Sequence, residues 1–396
     1  MKKIILPLLL ITITLQSCEK NQIEDSNTEN NSYNISVYEN RIEINTLDDK
    51  KGNFHFTEND IKKSSKTTIN TNANRFRVPG FLSCFYGFPT NVINCLQDYV
   101  GTPEILYNFN PQTPDNPESV AIDSQGNFII SMALSGELIK IDPAGNRTLI
   151  TLLPIGDFIP GAFTGLLGAI AVDNDDNIYV NVNASEPSNR GVWKVSPTGV
   201  ATLIGLLPLN AVPNGISLKD NMLYIADSGF DGKIWRVSKD GGTPEIWADD
   251  PLLKLINPGV MAPGPNGIQY YNGEFYVSNP NQGLLLAITL DNNSNSGALR
   301  IVSDNTFFDD FAIDALGNII GTTDPFNTVE KIYPDGTKTI LLSEEDGLDG
   351  PTAAIFGTRG LDRYNLYITN AAFPFFTENF QPSLMKLELG IPGAVR

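Results

Sequence analysis

The chain has 396 residues, 41% of them hydrophobic and only 18% charged, which excludes a chain disordered throughout and allows one large repeat fold or two domains. Its 45 acidic and 27 basic residues give a formal charge of −18 with no basic patch to offset it, which excludes nucleic acid as an expected partner. With 34 Gly and 26 Pro spread along it, and no sustained 3.6-residue apolar period, the sequence reads as all-β.

Met1-Lys2-Lys3 is a short basic start to an apolar run over residues 4–13. That run is too short for a permanent membrane span and suits the core of a signal peptide over residues 1–17. Leu15-Gln16-Ser17-Cys18 follows and resembles the lipobox of bacterial lipoproteins, whose cysteine is lipidated and becomes the mature N-terminus. The expectation is an exported bacterial lipoprotein, held to a membrane through Cys18 and facing the periplasm or the cell surface. An ordinary secreted chain with a chance cysteine is the alternative.

Residues 18–100 read as tether and N-terminal extension. Residues 19–75 are rich in Asn, Ser, Thr, Asp, Glu and Lys, and hold too few large apolar residues to offset chain entropy. Ile35-Ser36-Val37-Tyr38 and Arg41-Ile42-Glu43-Ile44 nevertheless alternate like short strands. Cys84 and Cys95, in an exported chain, are expected to form a disulfide that contributes roughly 2–3 kcal/mol. Redox catalysis is the alternative for this pair, and no Cys-x-x-Cys spacing supports it.

Residues 101–396 repeat themselves. Glu118-Ser119-Val120-Ala121-Ile122-Asp123, with Gly126-Asn127-Phe128-Ile129-Ile130, returns as Gly168-Ala169-Ile170-Ala171-Val172-Asp173 with Asn177-Ile178-Tyr179-Val180. The phrase starts again at Asn214, Asn266, Asp309 and Thr352, so the period runs between 43 and 52 residues, that of a propeller. Each unit reads as four strands: a small apolar inner strand, a buried second strand such as Leu223-Tyr224-Ile225, an alternating third such as Lys233-Ile234-Trp235-Arg236-Val237, and an outer strand. The sixth unit lacks its outer strand at the C-terminus. Gly101-Thr102-Pro103-Glu104-Ile105-Leu106, near-copy of the third unit's Gly242-Thr243-Pro244-Glu245-Ile246-Trp247, supplies it from the other end. The predicted fold is a six-bladed β-propeller closed by an N-terminal outer strand, which removes the open sheet edges.

The residue five places before the Asp123-type position gives the column Glu118, Gly168, Asn214, Asn266, Asp309 and Thr352. In a propeller such a column forms a ring about the axis. Two carboxylates meeting there would repel strongly without a cation, and an all-oxygen donor set suits Ca²⁺ or Mg²⁺ better than Zn²⁺. The bland alternative is structural: Asn214-Gly215 and Asn266-Gly267 as turn formers, and Asp309-Asp310 on a solvated loop.

Pro213-Asn214-Gly215-Ile216, Leu223-Tyr224-Ile225-Ala226-Asp227-Ser228 and Pro265-Asn266-Gly267-Ile268 resemble the SMP-30/gluconolactonase/LRE-like propellers, with a weaker likeness to NHL-repeat and strictosidine-synthase-like proteins. The resemblance covers residues 101–390. It implies a divalent cation held by Glu118, Asn214, Asn266 and Asp309, polarising a sugar-lactone carbonyl, with Asp309 handling the attacking water. Ser119-Val120 stands where the family has Gly-Pro, Asp310 where it has Gly, and no residue matches its substrate-holding basic residue. The only histidine, His55, lies in the tether, so a His-activated nucleophile is excluded in the propeller. Two functions follow as expectations. One is a metal-dependent hydrolase of lactones or related esters with a small-molecule substrate. The other is a non-enzymatic propeller, with a structural ion or none, whose loops bind a protein or glycan.

Overall fold

A computed structural model of the chain describes residues 92–159, 163–257, 262–374 and 380–394, together with Gly80–Phe85 and six short strands between residues 21 and 77. The signal segment and Cys18 lie outside the described residues. Among the described residues no helix is long and apolar enough to cross a membrane.

Six four-stranded antiparallel sheets follow one another along the chain as blades 1 to 6. Their inner strands are Pro117–Ile122, Leu166–Val172, Pro213–Lys219, Ile268–Tyr271, Phe311–Ile313 and Pro351–Phe356. Each inner strand neighbours that of the next blade, and the sixth returns to the first, so the sheets close into a six-bladed propeller. The closing strand is Glu104–Asn108. It pairs antiparallel with the third strand of blade 6, setting Leu384 opposite Tyr107, Met385 opposite Ile105 and Lys386 opposite Glu104.

Second strands read as apolar because both of their faces are covered. Ile129 and Leu138 of blade 1 pack with Leu167, Val180 and Val182 of blade 2. Tyr179 and Val192 of blade 2 pack with Ile216, Leu223 and Ile225 of blade 3, and the pattern continues round the ring. The hairpins between inner and second strands of blades 1, 2 and 5 share one device. Asp123 Oδ1 accepts from the Gln125 and Asn127 backbone N–H groups at 2.8 and 2.9 Å, and Asn127 Nδ2 donates to Asp123 Oδ2 at 2.7 Å. Asp173 with Asn177 and Asp314 with Asn318 repeat it, which fixes each turn and hence the register of the strands on either side.

Two compact units divide the chain. The second holds residues 103–358, 366–387 and 392–396, and the first holds the N-terminal residues to Thr102 with Arg359–Asn365 and Glu388–Ile391. In the first unit the strands Asn21–Ile23, Tyr33–Val37, Arg41–Thr46 and Asn53–Thr57 form a four-stranded sheet, which includes the two segments that alternate like strands in the sequence. The register sets Ile35 opposite Ile44, Val37 opposite Ile42, Ile44 opposite Phe54 and Ile42 opposite Phe56. Apolar positions thus coincide across three strands, a local pattern that bulk composition hides. His55 falls in the fourth of these strands, in the first unit. A disulfide joins Cys84 to Cys95 with their Cα atoms 5.6 Å apart. Phe81 beside it is buried, stacks on Tyr364 at 4.1 Å, and its N–H donates to Glu388 Oε1 at 3.1 Å.

Candidate metal centre

Each ring residue stands in the first three positions of its inner strand or, for Asn266 and Asp309, two residues before it, so the six blades bring them to one end of the axis. Glu118, Asn214, Asn266, Asp309 and Thr352 line a single cavity of ≈ 10 Å³, room for about one water-sized sphere or one ion. Asn266 and Thr352 are buried, while Glu118, Asn214 and Asp309 keep partial access. Blade 2 contributes Ala169 to the lining rather than Gly168. A Cβ at position 168 would lie 2.9 Å from the Asn214 carbonyl oxygen and 3.1 Å from that of Pro213, so the neighbouring backbone leaves no room for a side chain.

The turn reading of the Asn-Gly pairs does not hold. Asn214 and Gly215 lie inside the strand Pro213–Lys219, and neither Gly215 nor Gly267 has a positive φ. Glycine is required there by close approach: a Cβ at 215 would come within 2.0 Å of the Asn266 carbonyl oxygen, and one at 267 within 2.6 Å of Asp310 Oδ1. Asp309 is likewise tied into the ring rather than held on a free loop. Its N–H donates to the Thr322 carbonyl at 2.8 Å, its carbonyl accepts from Gly267 N–H at 2.8 Å, and Asn266 Nδ2 donates to its Oδ1. The departing Asp310 turns its carboxylate back onto its own strand, accepting from Phe311 N–H at 2.8 Å.

Depth in the protein, more than surface access, sets the electrostatics. Burial first, then Asp324 and Asp310, push the Glu118 carboxyl up to about 8. Burial, then Glu118, Asp324 and Asp310, hold Asp309 well above the usual carboxylate range, and the Asn266 hydrogen bond pulls the other way. Asp324 is raised to about 7 by burial and then by Asp349. Among the described residues no basic side chain is one of the main groups that act on these three carboxyls. Like charges in a poorly solvated site therefore lack a counter-charge, which favours the protonated form of these carboxyls in the ion-free ring, a bias that a cation would reverse.

The residues fit a hard divalent cation. Among the described residues no three His, Cys, Asp or Glu side chains gather closely enough to hold a metal alone, so a cation on the axis would need the two carboxamides as well. Asn266, with Nδ2 turned to Asp309, has its carbonyl oxygen left as the donor atom. Thr352 is engaged elsewhere, its hydroxyl 3.0 Å from the Pro117 carbonyl and 3.0 Å from Thr369 Oγ1.

Two features have no counterpart in the sequence reading. Asp324 follows the second strand of blade 5, and its Oδ1 is buried with no hydrogen-bond partner. Ala133, Asn183, Ser228, Pro280 and Ala371 hold the same place in the other repeats, so no column marks it. The second feature is a polar position inside the buried second strands, occupied by Ser131, Asn181, Ser278, Thr322 and Thr369, with Ala226 in blade 3.

No protein-family model matches the sequence, and no curated protein matches it. Solved structures do. Regucalcin from Agrobacterium tumefaciens, a calcium-binding protein, is similar over 74% of this chain and 96% of its own, with a TM-score of 0.54 and 19% identity. A gluconolactonase from Xanthomonas campestris is similar over 76% of this chain and 93% of its own, with a TM-score of 0.56 and 14% identity. The chain has the fold of these propellers. A luciferin-regenerating enzyme shares it over 74% of this chain and 97% of its own, with a TM-score of 0.54 and 14% identity. The resemblance expected from the repeat phrases thus holds at the level of fold.

Proposed function

We propose that the protein is a divalent-cation-dependent hydrolase of lactones or related esters, with Ca²⁺ or Mg²⁺ held by Glu118, Asn214, Asn266 and Asp309. The observation that carries this reading is the meeting of two acids and two carboxamides in one ion-sized cavity without a basic partner. The calcium-binding and gluconolactonase propellers that share the fold support it. When bound, the cation supplies a Lewis acid that polarises a substrate carbonyl. Asp309 is the general base: Asn266 holds Oδ1, which leaves Oδ2 to take a proton from water. Purified protein screened against sugar and acyl lactones, with and without chelator, tests the proposal. Chelator-sensitive turnover is expected, and the absence of turnover on every lactone in the presence of Ca²⁺ and Mg²⁺ would sink the hydrolase.

One observation favours the second reading, a propeller whose loops bind a protein or glycan. Leu209, Phe230, Ile256, Phe307 and Phe326 are exposed, and all lie in connections that leave second or outer strands, at the end where the inner strands begin and the ring residues stand. A rim of this kind suits a ligand with apolar surface. Binding without turnover in the same screen would favour it.

We further propose that the protein is exported and anchored through lipid on Cys18, from the lipobox-like Leu15-Gln16-Ser17-Cys18. Cys18→Ala should release it from membranes or stop its maturation. Normal processing with retention on membranes would count against the anchor.

A further inference from the structure

The polar column in the second strands does the same thing in five blades. It reaches across to the next blade and holds the backbone carbonyl of that blade's ring residue. Ser131 Oγ donates to the Gly168 carbonyl at 2.9 Å, and Asn181 Nδ2 to that of Asn214 at 2.7 Å. Ser278 Oγ donates to the Asp309 carbonyl at 3.3 Å, Thr322 Oγ1 to that of Thr352 at 3.0 Å, and Thr369 Oγ1 to that of Glu118 at 3.4 Å. All five side chains are completely buried. Ala226 leaves the Asn266 carbonyl without this clasp. Three clasps therefore stand under candidate ligands, at Asn214, Asp309 and Glu118, and two under ring positions outside the ligand set, at Gly168 and Thr352.

Ser278 is the most tightly coupled. Its Oγ accepts from Gly267 N–H at 2.8 Å while donating to the Asp309 carbonyl, and the same N–H also donates to that carbonyl at 2.8 Å. Gly267 follows Asn266 directly, and Asn266 Nδ2 meets the Asp309 carboxylate. One hydroxyl thus joins the backbones of the two blades that carry Asn266 and Asp309. A buried hydroxyl in an apolar strand costs free energy unless its bonds are made, and here both of its roles are filled.

We infer that Ser278 is a positioning residue for the axial cation, and that the clasps under Asn214, Asp309 and Glu118, not those under Gly168 and Thr352, set the spacing of the ligands from behind. The inference rests on the proposed axial-cation reading. Groups that orient ligands from behind typically change metal affinity 10- to 100-fold when removed. The propeller supplies its own control, because Ser131 makes an equally buried clasp on Gly168, which offers no side chain.

The test is Ca²⁺ titration by calorimetry, with melting temperatures of the same samples. Ser278→Ala should weaken Ca²⁺ about 10-fold, whereas Ser131→Ala leaves the affinity unchanged, and both should lower the melting temperature by similar amounts. A purely structural clasp would move the melting temperatures alone. Ser278→Thr keeps the hydroxyl, as Thr322 and Thr369 do in the same column, and should restore the affinity. Should Ser278→Ala fail to fold, Thr369→Val removes the clasp on Glu118 and is read in the same way. Equal Ca²⁺ affinities in the parent, Ser278→Ala and Thr369→Val would overturn the inference while leaving the axial site intact. A parent protein that binds no divalent cation would overturn both.

Discussion

A chain lacking residues 1–110 should lose the cooperative melting transition of the propeller, whereas one beginning at Asn72 should melt like the parent. The difference lies in the strand Glu104–Asn108, which supplies blade 6 with its outer edge. Without it the third strand of that blade exposes a row of unpaired backbone groups, an edge that invites association. Phe109, 3% exposed, is lost as well, and it packs with Val120, Ile130 and Leu384 where blade 6 meets blade 1. Deleting a buried Phe side chain costs about 3–5 kcal/mol, a large share of the roughly 5–15 kcal/mol by which whole proteins are stable. Melting curves of the two shortened chains, with light scattering to detect association, decide the matter. Coincident transitions would show that closure contributes nothing.

The displaced strand was legible because a repeat protein writes each unit in the same words. A near-copy of Gly242-Thr243-Pro244-Glu245-Ile246-Trp247 at residues 101–106 made the missing strand visible. The ring was legible for the same reason, since one position per repeat becomes one circle about the axis. What escaped had no column, or had one that was masked. Asp324 is alone among its repeat positions, so only its place after a buried strand could have drawn notice. Ser131, Asn181, Ser278, Thr322 and Thr369 do form a column, but each is one polar residue in an apolar run, and the run dominates the strand reading. Gly168 holds the ring position of blade 2 by sequence, but the Asn214 carbonyl occupies the space its side chain would need. Such close approaches belong to three dimensions. A glycine in an inner strand does not say which neighbour has crowded out its Cβ.

The axial cation makes the other large prediction, one that includes pH. Above its ordinary 4.5 and below about 8, Glu118 in the ion-free ring keeps a proton that the unfolded chain has released. The folded state then binds more protons than the unfolded one, so stability without the ion falls as pH rises through this window. A cation displaces that proton, so its affinity rises with pH, and Ca²⁺ should stabilise the protein more at pH ~8 than at pH ~5.5. At about 100 times its dissociation constant the gain is roughly 2.7 kcal/mol, about 5 °C in melting temperature, and chelator reverses it. Two variants separate the roles. Glu118→Gln removes a carboxyl whose charge is costly to bury, so with chelator it should melt no lower than the parent, while most of its gain from Ca²⁺ is lost. Asp309→Asn keeps one ligating oxygen but cannot accept a proton; hydrolysis should fall by at least ~10²-fold while some Ca²⁺ binding survives. Melting temperatures of the parent that are identical with Ca²⁺, Mg²⁺ and chelator at pH ~8 would remove the cation from the axis. The buried pair Glu118 and Asp309 would then stand as a protonated structural cluster, and the loops at that end would remain as the place where a ligand binds.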